Sequence, residues 1–157
     1  MVKIRVKAKG WWQPEVVQQL REAATWACKY HDLMVNPIPI QIKLCGPSNI
    51  YGDSIDLDHK VVIRLFACEE WLPTLFHEMT HAHQYIYGKL QLEIDHAYWL
   101  GNLIVRNKNE YQEEPWEVEA RKCEDEMTKK FLTEKPRARP PGIRLRLVYD
   151  QFRKINS

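Results

Sequence analysis

The chain has 157 residues, 45% of them hydrophobic and 28% charged, with a formal net charge of +2. That length supports one domain with a real core and is short for two, and no run approaches the ~18 apolar residues that a membrane span requires. The charge is uneven: Lys135 to Ser157 hold seven basic residues against Asp150, a balance of +6, so residues 1–134 carry −4.

In chain order, residues 2–7 (VKIRVK) alternate with period two, which predicts a strand and not a signal peptide. Pro14 suits the first turn of a helix running to about Tyr30, with Val16, Val17, Leu20, Ala24, Ala27 and Cys28 as its apolar stripe. Pro37 and Pro39 close that region, and Ile40, Ile42 and Leu44 alternate as a second strand. Residues 46–59 are rich in Gly, Pro, Asn, Asp and Ser and are expected to form an exposed loop. Residues 60–67 (KVVIRLFA) predict a third strand, and a second helix follows from about Glu69 to Tyr87, stopped by Gly88. Between Tyr98 and Val105 a Gly101-Asn102 turn separates apolar runs, the pattern of a β-hairpin. A third helix is expected from Pro115 to about Leu132, with Trp116, Ala120, Cys123, Met127 and Phe131 on its apolar face. Pro136, Pro140, Pro141 and Gly142 then interrupt regular structure, and the last residues suggest a strand or short helix.

The expected fold class is therefore α+β, a small mixed β-sheet packed on helices, with one domain over residues 1–135. Residues 136–157 form a basic, Pro-containing tail; such a tail can contact nucleic acid, although a solvated terminus is the commoner outcome. Cys28, Cys45, Cys68 and Cys123 form no CxxC pair, so reduced thiols in a cytoplasmic protein are the expectation.

The sharpest chemical signal is His77-Glu78-Met79-Thr80-His81. On a helix the two histidines lie one turn apart on one face, within reach of a single tetrahedral zinc. Glu78 is about 100° round the helix from His77, where its carboxylate reaches a zinc-activated water rather than the metal. Leu72, Leu75, Met79, Ala82 and Ile86 cluster on one side of this helix, and His77 and His81 fall on the other with Glu70, Thr74, Gln84 and Tyr85. The pair is thus expected to face away from the core, whereas His83 sits toward the apolar side as a packed histidine.

A catalytic zinc site takes a third protein ligand. The candidates downstream are His96 and the glutamates Glu113, Glu114, Glu117 and Glu119, and the third helix does not single out one of them. Tyr87 stands where an HExxHxxGxxH site needs its last histidine, which excludes that longer motif. HEMTHAHQY followed by PWEVEA (115–120) resembles the gluzincins, the thermolysin-like class of zinc peptidases, in a minimal single-domain, zincin-like form. The resemblance covers about residues 60–132. It implies a glutamate-bearing helix downstream of the HExxH helix, with Glu117 of Glu117-Val118-Glu119-Ala120 as third ligand, and strand 60–67 as the edge that pairs with an extended peptide. Many relatives place Asp or Asn directly after that alanine to bond a ligand histidine. Arg121 stands there in this chain, leaving Glu119 or Glu124 as substitutes.

The function implied is zinc-dependent hydrolysis of a peptide or protein, with Glu78 as general base and Tyr111, His96 or Tyr98 as candidate oxyanion donors. Two alternatives stand beside it. One is a nucleic-acid-associated protease resembling the SprT-like class, with His96 as third ligand; the other is a non-catalytic zinc domain used for interaction.

Overall fold

The computed structural model describes residues 2–136, so the expected terminal strand or helix and nearly all of the basic tail lie outside the described residues. Within them the protein is α+β, with three α-helices and two sheets. The elements are β1 (Val2–Val6), α1 (Pro14–Tyr30), β2 (Ile40–Cys45), β3 (Gly52–Asp56), β4 (Val61–Phe66), α2 (Trp71–Ile86), β5 (Leu90–Leu92), β6 (His96–Trp99), β7 (Asn102–Val105) and α3 (Pro115–Glu134), with a 3-10 segment at Lys108–Glu113.

The larger sheet has the order β1-β2-β4-β3; the first three strands are parallel and β3 is antiparallel to β4. Side chains alternate across a strand, so its register assigns the faces. Ile40, Ile42 and Leu44 of β2 stand beside Val61, Ile63 and Leu65 of β4, and all six are buried against the helices. Each such aliphatic side chain contributes about 1.5–3 kcal/mol on burial. The opposite face is polar, with Arg5, Lys43, Arg64 and Asp53 in one cross-strand row.

Two expectations are corrected here. The segment 46–59 is not all loop, because Gly52–Asp56 forms β3. Strand 61–66 is consequently interior to its sheet, and among the described residues β3 is the edge strand beside it. The composition of GDSID disfavours a strand, but pairing with β4 and packing on α2 override that local preference.

Helix α2 is the central element. Eleven of its sixteen residues are buried, so it has no solvated face of the usual amphipathic kind. Leu72, Leu75, Met79 and Ala82 meet the main core, as the periodicity predicts. The side expected to face away is covered by α3, which buries Trp116, Glu117, Ala120, Met127 and Phe131. Gly88, with φ +66°, follows α2 in the left-handed conformation that ends helices.

The second sheet is antiparallel with order β5-β6-β7. Its hairpin turns through Leu100 and Gly101, both at positive φ, one residue before the expected Gly-Asn pair. Leu90 and Ala97 pack on Trp116, and the Trp99 and Trp116 rings lie 6.2 Å apart. All four cysteines are free thiols. No helix among the described residues is long and apolar enough to cross a membrane.

Candidate metal centre

His77 and His81 lie within α2, and their rings sit 4.8 Å apart, centroid to centroid. Where α3 crosses α2, Glu117 projects between them. Its Oε2 is 3.2 Å from His77 Nε2, its Oε1 is 3.2 Å from His81 Nε2, and the two Nε2 atoms are 3.1 Å apart. Among the described residues these three form a group whose ligand atoms lie within 4.8 Å of one another.

The other ring nitrogens determine what the Nε2 atoms can do. His77 Nδ1 lies 3.0 Å from Glu124 Oε2, a carboxylate that can only accept when ionised. His81 Nδ1 lies 2.7 Å from Gln84 Oε1. The fully buried Gln84 uses its Nε2 as donor to the Trp116 carbonyl at 3.0 Å and to Glu119 Oε2 at 2.9 Å, which leaves Oε1 to accept. Both imidazoles therefore carry a proton on Nδ1 and turn the Nε2 lone pair towards the common point.

The electrostatics of the site follow from that convergence. Burial pulls the His77 imidazole down, but its bonds to Glu117 and Glu124 outweigh it and hold the group up at about 10. His81 is likewise raised, with burial opposed by its bond to Glu117 and by the charge of Glu78. Burial pushes the Glu117 carboxyl up, but bonds to His77, His81 and Tyr111 more than offset this and hold it well below the usual range. Three lone-pair donors aimed at one point attract positive charge, whether a proton or a metal ion.

Glu78 stands outside the ligand group. It is buried, which raises its carboxyl, while the charges of His81 and His77 and a bond to Ser54 act in the opposite sense. Strand β3 crosses α2 so closely here that a Cβ on Gly52 would lie 3.2 Å from Glu78 Cγ and 2.7 Å from Thr74 Cγ2. Glu78, His81, Glu117, Ser54 and Tyr111 share the lining of a recess of about 120 Å³.

No protein-family model matches the chain, and no curated protein or solved structure does either. The site is thus defined by its own chemistry. Two imidazole nitrogens and one carboxylate oxygen are a donor set that zinc accepts with one position left open, and the Nδ1 partners add the outer support such ligands usually have. The residues present fit that ion.

The expected His77, His81 and Glu117 are brought together, and His96 is not among them. His96 sits on β6 of the other sheet with Nδ1 2.6 Å from Asp95 Oδ1. The other three glutamates divide unexpectedly. Glu113 is exposed, but Glu114 is buried against Arg106 Nε at 3.1 Å, and Glu119 bonds Gln84 and Lys89. Of the candidate oxyanion donors, Tyr111 lines the recess and bonds Glu117, whereas Tyr98 and His96 are not in that lining. His31, at the end of α1, and His83 of α2 stack face to face at 4.8 Å, the packed role expected for His83.

Sequence reasoning missed Ser54, Gly52 and Arg106. None carries a motif signal, because their relation to the site depends on the crossing of β3 and on the segment after β7. The role of Gln84 was within reach, since it lies three residues after His81 on the same helical face.

Proposed function

We propose that this protein is a zinc-dependent metallopeptidase with a zincin-like fold, resembling the minimal gluzincins, in which His77, His81 and Glu117 hold the metal and Glu78 is the general base. The observation that carries the reading is the convergence of three donors on one point, with a fourth buried acidic group beside them and excluded from the set. A purely structural zinc site has no use for Glu78.

A zinc ion held there supplies a Lewis acid, which polarises a carbonyl and brings the pKa of water down towards about 7. Glu78 accepts the proton of a water in the recess and returns it to the leaving amine, and its raised pKa suits both transfers. Ser54, bonded to Glu78, orients the carboxylate. The Tyr111 hydroxyl, at the mouth of the recess, is the donor best sited for charge developing on the scissile carbonyl oxygen. The free edge of β3 is a surface along which an extended substrate can pair, the role that the family resemblance assigned to strand 60–67.

The deciding experiment combines metal analysis with proteolysis. Zinc-loaded protein is expected to contain one zinc per chain and to cleave casein in a chelator-sensitive manner. His77→Ala and Glu117→Ala should lose the metal, His96→Ala should keep it, and Glu78→Gln should keep the metal but lose cleavage. Metal binding without any effect of Glu78→Gln on activity would move the protein to the class of non-catalytic zinc domains.

A further inference from the structure

A groove of about 800 Å³ opens directly from the metal recess, sharing Ser54, Tyr85 and Leu92 with it. One wall is β3, the last strand of the larger sheet, and the other is β5, the last strand of the smaller one. The end of α2 also lines it, through Ile86 and Gly88. Among the described residues each wall is an edge strand, and such an edge needs hydrogen-bond partners and accepts an extended chain most readily.

The charges in the groove are of one sign. Asp56, Asp58 and Glu93 line it, and no Lys, Arg or His does so among the described residues. None of the three carboxylates forms an ion pair with a described residue. Lys89 contacts Glu119, and Arg106 reaches the backbone carbonyl of Glu93 and the carboxylate of Glu114, while His59 and Lys60 follow Asp58 in the chain but do not line the groove. A cleft with like charges on low-dielectric walls concentrates ions of the opposite sign.

We infer that this groove selects peptide substrates carrying lysine or arginine on one side of the scissile bond, read by Asp56, Asp58 and Glu93. The inference rests on the peptidase reading and adds its substrate class. Register gives the distance. Ser54, which bonds Glu78, marks the reacting end, and Asp56 is two residues further along the same face of β3. At a rise of about 3.3 Å per residue that is about 7 Å, so the basic side chain belongs two to four residues from the cleaved bond.

The test uses the full chain loaded with zinc. A mixed peptide library is digested and the cleavage sites are read by mass spectrometry. Enrichment of Lys and Arg two to four residues from the cut, on one side only, is the expected result. A quenched fluorescent peptide with arginine there should be cleaved with kcat/KM about three- to tenfold above its glutamine match, the scale of one or two exposed ion pairs. The triple variant Asp56→Asn, Asp58→Asn, Glu93→Gln should abolish that ratio, and Asp56→Lys with Glu93→Lys should turn the preference towards glutamate. A merely structural role for these residues would lower all rates together and would not invert the preference.

A second readout needs no turnover. Glu78→Gln protein should bind a fluorescein-labelled arginine peptide more tightly than its glutamate match, with the difference shrinking as salt rises. Cleavage without basic enrichment, or a preference untouched by the charge swap, overturns the inference and leaves the peptidase reading intact. Absence of cleavage together with unselective binding sinks both. If the neutral variants instead accelerate cleavage of every peptide equally, the groove holds the chain's own basic residues and does not select substrate.

Discussion

His77 Nδ1 lies 3.0 Å from Glu124 Oε2, so a carboxylate from the third turn of α3 fixes the ring of His77 on α2 with its Nδ1 proton facing that acid. The position after Ala120 that many gluzincins use for this purpose is occupied by Arg121, whose guanidinium instead bonds the Gln112 carbonyl. Glu124→Ala is expected to weaken zinc affinity about 10- to 100-fold, the usual effect of removing such a partner. Glu124→Gln should do less, because an amide oxygen can still accept from Nδ1–H. Competition against a chromophoric chelator measures both, and unchanged affinity in the alanine variant would remove Glu124 from the site.

Tyr111→Phe tests the oxyanion assignment. The tyrosine is half-exposed, so its replacement should leave the fold unchanged, but its hydroxyl bonds Glu117, so activity is compared at saturating zinc with the zinc content measured alongside. A fall in kcat of about 10²-fold is expected, the scale found when one such donor is removed. A rise in KM alone, with kcat preserved, would assign Tyr111 to substrate binding.

Gly52→Ala tests the crossing of β3 over the site. The added methyl would lie 2.7 Å from Thr74 Cγ2 and 3.1 Å from the Arg64 carbonyl oxygen, and it would press on Glu78. A loss of about 1–3 kcal/mol is expected on urea unfolding, with a larger fall in activity than in zinc content. At Gly46 the nearest atom stands 3.6 Å away, so Gly46→Ala is the matched control and should be tolerated. Thr74→Ser, which removes Cγ2, should partly rescue Gly52→Ala.

Acid stability follows from the stacked pair of His31, at the end of α1, and His83 of α2. Burial pulls the His31 imidazole down to about 3, helped by His83 and Lys89. The folded group is therefore neutral where the unfolded one, with an ordinary value of about 6.5, is charged. A group depressed on folding contributes stability that is complete above the unfolded value and is lost as pH falls through the folded one. Unfolding free energy should decline from about pH 6.5 towards pH 3, and His31→Gln should flatten part of that slope. Comparing the two proteins cancels any loss of metal common to both. Parallel curves would contradict the assignment.

The three α-helices and five of the strands, β1, β2, β4 and the β6–β7 hairpin, were legible in the sequence because their periodicities are strong and Pro14, Gly88, Gly101 and Pro115 punctuate them. The His77-Glu78-His81 spacing was legible as well, as was a glutamate near residue 117. What escaped was everything that depends on elements distant in sequence meeting in space. The burial of His81 requires α3 to lie on the polar side of α2, that of Glu78 requires β3 to cross it, and no helical projection of α2 alone contains either fact. Strand β3 escaped because Gly52, Asp53, Ser54 and Asp56 all disfavour strands, and only the hydrogen bonds of β4 recruit them. The same failure misassigned the sheet edge. The pairing of Glu114 was not legible because its partner, Arg106, is eight residues away across a 3-10 turn rather than on its own helix.

The three donors also have a topological meaning. Two come from α2 and one from α3, and the chain between His81 and Glu117 contains the whole of β5, β6 and β7. An ion gripped by all three is a cross-link that closes this loop, and closing a loop removes conformational freedom from the unfolded chain. Its removal would loosen the attachment of one specific module, the small sheet that forms half of the substrate groove. Chelation should therefore expose the 88–107 segment to nicking by an added protease while the larger sheet stays protected, and a metal held there would act as a rivet as well as a reagent.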